Sequence, residues 1–152
     1  MKLQKASLFA LYAVLDLAAV PTRQLSANDI AEAYGVSPHH LAKILRQLVR
    51  AGLVQAVRGV GGGYRFAGNS NRTTLLDVIE LFEPLESELE VPPPASTAAE
   101  AVVAEIRRVS REIDDLTRSV LDSITLKTAL AHARRHAAAT PATAGTDQAA
   151  TN

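Results

Sequence analysis

Residues 37–50 place basic and polar side chains at a spacing that would gather them on one side of a helix. Apolar residues recur in this segment at i, i+3, i+4 and i+7, which predicts a buried stripe of Leu41, Ile44, Leu45 and Leu48. The opposite side would carry His39, Lys43, Arg46 and Arg50, with His40 and Gln47 beside them. Ammonium and guanidinium groups bind phosphates, so this side is suited to a polyanion, with a solvated basic surface as the alternative.

The adjacent histidines His39 and His40 raise the alternative of a metal site, since imidazole is a common metal ligand. Adjacent helix residues point about 100° apart, and no third ligand lies near them in the sequence. The chain contains no cysteine, which excludes disulfides and thiolate metal sites. We therefore predict no metal site and no cofactor.

A glycine-rich run, Arg58-Gly-Val-Gly-Gly-Gly63, lies between two short segments of β-forming residues. It lacks the Gly-Lys-Ser/Thr of a phosphate-binding loop and no helix follows it directly, so a nucleotide site is disfavoured. A hairpin tip is the better interpretation. Its glycines would let the turn lie close to a nucleic-acid backbone, and Arg58 could enter a minor groove. Gly61 and Tyr64 are included with Arg58 in the predicted binding set.

No arrangement of residues indicates catalysis. The carboxylates of Glu83, Glu86, Glu88 and Glu90 have no paired histidine or cysteine, and we interpret them as part of a solvated acidic loop. The sequence therefore does not predict an enzyme.

Charge is divided unevenly along the chain. Residues 1–72 contain nine Lys/Arg and three Asp/Glu, a net charge of +6, whereas residues 73–152 contain seven and thirteen, a net charge of −6. A basic half joined to an acidic half suggests a polyanion-binding module beside a region of different function, with chance segregation of surface charge as the alternative.

The elements that position these residues follow from periodicity and capping signals. Ser26 with Asp29, and Thr74 with Asp77, have the spacing of capping boxes. Helices are predicted over residues 6–20, 26–35 and 37–50, a hairpin over 53–57 and 64–67, and further helices over 74–83, 99–120 and 124–133. The predicted fold is mainly α with a small β-hairpin: a winged helix-turn-helix domain followed by a long dimerisation helix. Gly35 falls at the tight turn, where positive φ is expected.

The long helix carries apolar residues spaced alternately by three and four positions, which is a heptad seam. Its predicted dimerisation residues are Val102, Ile106, Val109, Ile113, Leu116 and Val120. An exposed apolar stripe of this length would be covered by a second copy, so we predict a homodimer.

The chain divides into four predicted parts. These are a DNA-binding domain (1–83), an acidic, proline-rich connector (84–97), the dimerisation helix with a last short helix (98–133) and a disordered tail (134–152). No apolar run is long enough to span a membrane and no secretory signal is present, so we expect a cytoplasmic protein.

In a helix-turn-helix, the N-terminal residues of the second helix lie against base edges in the major groove. We therefore assign base or near-base contacts to Ser37, His39, His40 and Lys43. Arg46 and Arg50 are assigned to phosphates, which position a protein on the duplex without specifying sequence.

Three segments resemble the Rrf2 family of bacterial transcription regulators: the N-terminal FALYAVLDLA, residues 30–67 and TLLDVIELFE at 74–83. RGVGGGYR is the most specific match, and the likeness extends over roughly residues 1–130. The resemblance implies a homodimer with a long crossing helix that reads a pseudo-palindromic operator. It also implies that Ser37, His39, His40 and Lys43 occupy the reading positions and that Arg58 is the wing arginine.

The sequence departs from that family in one respect. Many members hold an iron–sulfur cluster through three cysteines before the long helix, whereas this chain has ESELEVPPPASTAAEA there. We expect no cluster. Any switch would be a small molecule or a protein acting where the connector, the 74–83 helix and the long helix meet, and control by abundance alone is the alternative.

These patterns favour a sequence-specific regulator, most simply a repressor, that binds double-stranded DNA as a homodimer. The alternative from another class is a winged-helix interaction module that regulates a partner enzyme. Binding to duplex DNA at two salt concentrations distinguishes the two.

Overall fold

The computed structural model describes residues 3–85 and 93–139. Within them the element order is α1 Lys5–Ala19, α2 Ala27–Ala33, α3 Pro38–Arg50, β1 Val54–Val57, β2 Gly63–Phe66, α4 Leu75–Ile79, α5 Thr97–Ser123 and α6 Leu126–Ala139. We call the part from α1 to α4 the head. This is the predicted fold, with helices throughout and one two-stranded hairpin.

Helix α1 lies at the centre of the head. Its small and branched side chains at Ala10, Ala13, Val14 and Leu17 are all fully buried. The helix packs against α3, α4, α6 and the second wing strand. Because these neighbours pack on several sides of α1, the helix is apolar on most of its circumference. Alanine at two of the buried positions lets the neighbouring backbones approach closely.

The helix-turn-helix has the local signals that the sequence predicted. Ser26 accepts a hydrogen bond from the Asp29 amide, and the Asp29 carboxylate accepts one from the Ser26 amide, each at 3.1 Å. These bonds, which lower the pKa of Asp29, complete a capping box at the start of α2. Gly35 has φ +62°, in the left-handed region that favours glycine, so the predicted tight turn is confirmed.

The hairpin is antiparallel, with Val54 opposite Phe66 and Val57 opposite Gly63. Leu25, from the segment between α1 and α2, extends it as an isolated bridge. The Leu25 amide donates to the Tyr64 carbonyl at 3.0 Å, and the Tyr64 amide donates back at 2.8 Å. The wing is therefore fastened to the helix-turn-helix along its second strand.

The C-terminal end of α5 is joined to the head through backbone hydrogen bonds. Thr74 and Thr125 form a β-bridge, the Leu75 amide donates to the Ile124 carbonyl, and the Leu126 amide donates to the Thr73 carbonyl, both at 2.9 Å. Leu126 is fully buried in the core of the head. The long helix α5 is thus attached to the head at its C-terminal end.

Some local predictions differ from the structure. The helix predicted over residues 74–83 ends at Ile79. Helix α6 continues to Ala139 rather than ending at residue 133, because alanine sustains a helix without any apolar period. The long helix predicted to end at residue 120 continues to Ser123. Glu83 is not solvated: its side chain is buried and accepts a hydrogen bond from the Gln4 amide at 2.9 Å.

Parts of two predicted regions, residues 86–92 of the connector and 140–152 of the tail, lie outside the described residues. Within the described residues, no helix is long and apolar enough to cross a membrane.

The buried hydroxyl of Ser7 generates a stability prediction, because it has no hydrogen-bond partner among the described residues. Replacing an unpaired buried hydroxyl removes a desolvation cost, and alanine also favours the helix. We expect Ser7→Ala to leave the free energy of unfolding unchanged or to raise it by up to about 1 kcal/mol. The matched Ser26→Ala removes a working cap and should lower it by about 1 kcal/mol.

Urea unfolding followed by circular dichroism measures both variants. If Ser7→Ala lowered the free energy of unfolding as much as Ser26→Ala does, the Ser7 hydroxyl would have a hydrogen-bond partner in solution.

Candidate nucleic-acid interface

Helix α3 is held by one face and exposes the other. Leu41, Leu45 and Leu48 are at most 1% exposed and pack into the core of the head. On the opposite side His39, Lys43, Arg46 and Arg50 are all exposed, as predicted. Pro38 occupies the first turn of the helix, where its missing amide hydrogen leaves no bond unmade.

Cations on the exposed face of α3 are not neutralised by neighbouring carboxylates. Within residues 3–85 and 93–139, Lys43, Arg46 and Arg50 have no acidic group within ion-pair distance. Arg46 makes only a long hydrogen bond, 3.4 Å, to the Ala42 carbonyl of its own helix. Their full charge is therefore available to a polyanion.

Two further side chains of α3, which flank this face, contact the head. The His40 ring lies edge-to-face with Phe9 of α1, with centroids 5.8 Å apart. The Gln47 amide donates to the Leu81 carbonyl after α4. Ser37, the N-cap residue, is exposed and its hydroxyl caps no backbone amide. The structure thus brings together most of the predicted reading residues, but attaches His40 to the protein itself.

The wing tip is shaped by its glycines. Gly59 and Gly61 have φ of +107° and +75°, conformations that favour glycine. A Cβ on Gly63 would lie 2.5 Å from the Leu25 carbonyl oxygen, and one on Gly62 would lie 2.6 Å from the Val57 carbonyl oxygen. The tip can form only because these side chains are absent.

Arg58 and Val60 project from this turn into solvent, and Arg58 has no carboxylate partner among the described residues. Tyr64 differs from the other predicted binding residues. Its side chain is half-buried and packs against the core of the head, while its backbone pairs with Leu25. Its position supports the base of the wing.

Gln24 was not among the predicted site residues, but its side-chain amide donates to the Gly61 carbonyl at the wing tip. No motif contains this glutamine, since the contact joins residues 37 positions apart. Arg65 was also missed; it is exposed on the wing and donates to Gln55 on the neighbouring strand at 2.9 Å.

The predicted dimerisation residues are all exposed in the single chain. Their exposed fractions are Val102 60%, Ile106 54%, Val109 41%, Ile113 57%, Leu116 67% and Val120 57%. No residue of α5 is buried. This stripe, which we call the α5 seam, is larger than isolated surface apolar residues would explain.

The chain does not fit the iron–sulfur cluster that many members of the family it resembles hold. Such clusters are held by cysteine thiolates, and the sequence has no cysteine. Among the described residues, no group of three or more histidines and carboxylates is arranged to hold a metal ion. No step of the function considered below uses such a group.

The fold and the exposed residues together define a class of protein. A helix-turn-helix whose second helix presents unpaired cations, followed directly by a glycine-tipped hairpin, is the architecture of winged helix-turn-helix DNA-binding proteins.

Comparison with known proteins identifies the family. The profile of Rrf2, described as an iron-dependent transcriptional regulator, matches residues 3–132. A protein of Rhodopseudomonas palustris that bears the name HTH-type transcriptional regulator BadM is 51% identical over 130 residues, 86% of this chain and 81% of that protein. The chain belongs to the Rrf2 family of DNA-binding transcriptional regulators.

Solved structures agree with this assignment. T. potens IscR has a TM-score of 0.65 and 28% identity, with 90% of each chain covered. CymR, the global cysteine regulator of B. subtilis, has a TM-score of 0.66 and 28% identity, with 87% of this chain and 98% of that chain covered.

The tight approach at Gly63 generates a prediction for the wing. Gly63→Ala should force the second strand away from Leu25, because the new Cβ would meet a backbone oxygen at 2.5 Å. We expect a loss of about 1–3 kcal/mol in the free energy of unfolding. Val60→Ala, a control in the same turn at a fully exposed position, should leave it unchanged.

Thermal unfolding of the two variants measures the difference. Equal melting temperatures for Gly63→Ala and Val60→Ala would show that the wing is not held against Leu25.

Proposed function

We propose that this chain is a cytoplasmic, sequence-specific regulator that binds a pseudo-palindromic operator in double-stranded DNA as a homodimer. The observation that carries the proposal is the exposed face of α3, where three cations lie together with no carboxylate partner in the part of the chain that the structure describes. In this proposal α3 enters the major groove and the wing lies on the neighbouring minor groove.

The size of α3 suits this role. Its 13 residues span about 20 Å, and the major groove is about 12 Å wide, which admits one helix. Ser37, His39 and Lys43 lie in the N-terminal half, where base contacts are made. Arg46 and Arg50 lie further along and are suited to the phosphates, and Arg58 on the wing would reach toward the minor groove.

The α5 seam supports the homodimer. Two copies packed along it would remove six apolar side chains from water on each helix. The heptad spacing allows side chains of one helix to pack between those of the other. A symmetric dimer presents two copies of α3, and its half-sites on B-DNA would be separated by about 34 Å or a multiple of it.

Repression is the simplest action for such a dimer, since two heads bound across a promoter exclude polymerase sterically. The head and α5 meet where Glu80, directly after α4, and Arg118 form an ion pair. An effector, either a small molecule or a protein, would act at this junction, because a change there alters the separation of the two heads.

The seam generates the first prediction for this function. Ile106→Asp combined with Ile113→Asp would place four carboxylates in an apolar dimer interface, which is strongly unfavourable. We expect a monomer by light scattering and weaker DNA binding. Ala104→Asp combined with Arg111→Asp is the matched control, because both positions are exposed on the opposite side of α5. A dimeric mass for the Ile106/Ile113 variant would show that the α5 seam is not the dimer interface.

DNA binding is tested with the full chain and duplex DNA. Binding to a random-sequence duplex should weaken steeply between two salt concentrations, because each phosphate contact releases a counterion. Selection from a random-centre duplex library should then yield a two-fold symmetric site. The interaction-module alternative predicts no binding at either salt concentration, and that result would reject the proposal.

Single substitutions separate reading from positioning. Loss of a base contact, expected for Lys43→Ala and Arg58→Ala, should cost about 1–3 kcal/mol in binding and relax the base preference. Arg50→Ala should weaken all sequences alike and reduce the salt slope by about 1. Arg111→Ala, on the far side of α5, is the control. Changed base preference in Arg50→Ala, with Arg58→Ala unaffected, would contradict these assignments.

A further inference from the structure

Four aromatic rings form a continuous cluster where α1, α2 and α3 meet. Phe9 and Tyr12 come from α1, Tyr34 caps the C-terminal end of α2, and His40 lies in the first turn of α3. Ring centroids are 5.8 Å apart for Phe9–His40, 6.3 Å for Phe9–Tyr12 and 4.3 Å for Tyr12–Tyr34. We call these four rings the aromatic cluster. It connects α1 to both helices of the helix-turn-helix, α2 and α3.

One end of the aromatic cluster is fixed by stacking and a hydrogen bond. Tyr12 and Tyr34 are nearly parallel, with 12° between their planes. The Tyr34 hydroxyl donates to Asp16 at 2.7 Å. Burial and this bond raise the pKa of Tyr34 well above its usual range, so the phenol keeps its proton and remains a donor. The C-terminal end of α2 is therefore held against α1.

The other end of the aromatic cluster is the contact between Phe9 and His40, whose planes are 84° apart. Edge-to-face pairs at this separation are a preferred geometry for aromatic rings. His40 is exposed, like His39 and Lys43, but the contact with Phe9 orients its ring toward α1, away from the side of α3 on which His39 and Lys43 lie.

A second observation places His40 on the attached side of α3. Gln47, seven residues later and therefore on the same side of the helix, donates to the Leu81 carbonyl. His40 and Gln47, two turns apart on the same side of α3, thus contact different parts of the head. His39, Lys43, Arg46 and Arg50 lie on the neighbouring, unattached side.

We propose that His40 is a positioning residue for DNA recognition rather than a base reader, and that the aromatic cluster sets the rotation of α3 about its own axis. This inference rests on the proposed function and assigns a different role to a residue that the sequence placed among the base contacts. Phe9, which was not among the predicted binding residues, becomes part of the recognition apparatus.

The rotation of α3 matters because base contacts tolerate little displacement. Side-chain ends lie about 6 Å from a helix axis, so a rotation of about 20° moves them by about 2 Å. Hydrogen-bond lengths vary over only about 0.5 Å. A small loss of restraint at Phe9–His40 would therefore affect every contact made from the exposed face, without any bond between His40 and a base.

The test compares His40→Phe and His40→Ala, with Phe9→Leu, and uses His39→Ala as the matched control one residue away. Each full-length variant is assayed by selection from a random-centre duplex library and by titration with the wild-type consensus duplex. We expect His40→Phe, which keeps an aromatic ring, to retain affinity and base preference. His40→Ala and Phe9→Leu should bind about three- to ten-fold more weakly with the same preferred sequence. His39→Ala should change the preference.

Proton NMR of the free protein provides a readout that does not depend on DNA. The imidazole C–H resonances of His40 should shift in Phe9→Leu, while those of His39 stay in place. The experiment remains informative if the protein binds no duplex, because that result rejects the proposed function while the NMR result still decides whether the contact exists.

Two results would overturn the inference. One is a change in base preference for His40→Phe like that of His39→Ala, which would make His40 a reader. The other is an unchanged His40 spectrum together with unchanged DNA affinity in Phe9→Leu, which would show that the aromatic cluster does not position α3.

Discussion

Burial of one apolar surface on α1 is the constraint from which the rest of the head follows. Ala10 and Ala13 are fully buried there, and their small side chains bring α3, α4, α6 and the wing strand around a single helix. Of these elements, α3 carries three of the exposed cations that we propose to contact DNA, and the hairpin carries Arg58 at its tip. Protein interiors are close-packed and transmit displacements. A change in the orientation of α3 would therefore also affect the position of the wing and the attachment of α5.

The surface that we propose to bind DNA concentrates charge where the described part of the fold does not neutralise it. Ion pairs within the described residues include those of Arg108 with Glu105 and Glu112 on α5, and that of Arg118 with Glu80, which joins α5 to the end of α4. The cations of α3 and Arg58 have none. Like charges held together cost some stability through mutual repulsion, but they attract a polyanion over a distance and speed its encounter with the protein. The division of charge along the sequence is therefore also a division in space.

Most of the fold was predictable because its signals are local. The capping boxes at Ser26 and Thr74, the turn at Gly35 and the seam of α5 each depend on residues within a few positions of one another. What the sequence missed depends on distant contacts: Gln24 with Gly61, Glu83 with the Gln4 amide, and His40 with Phe9. Residues of the right type and spacing on α3 could be predicted to share a face, but only packing distinguishes a free side chain from one that the protein itself holds.

The bridge between Thr74 and Thr125 makes α5 a lever with its pivot at the head. A helix of 27 residues is about 40 Å long, so a tilt of about 5° at the pivot moves its far end by about 3.5 Å. In a symmetric pair the two tilts add. A small change of angle at this bridge is therefore amplified along the whole of α5, and the separation of two heads joined through that helix would change with it.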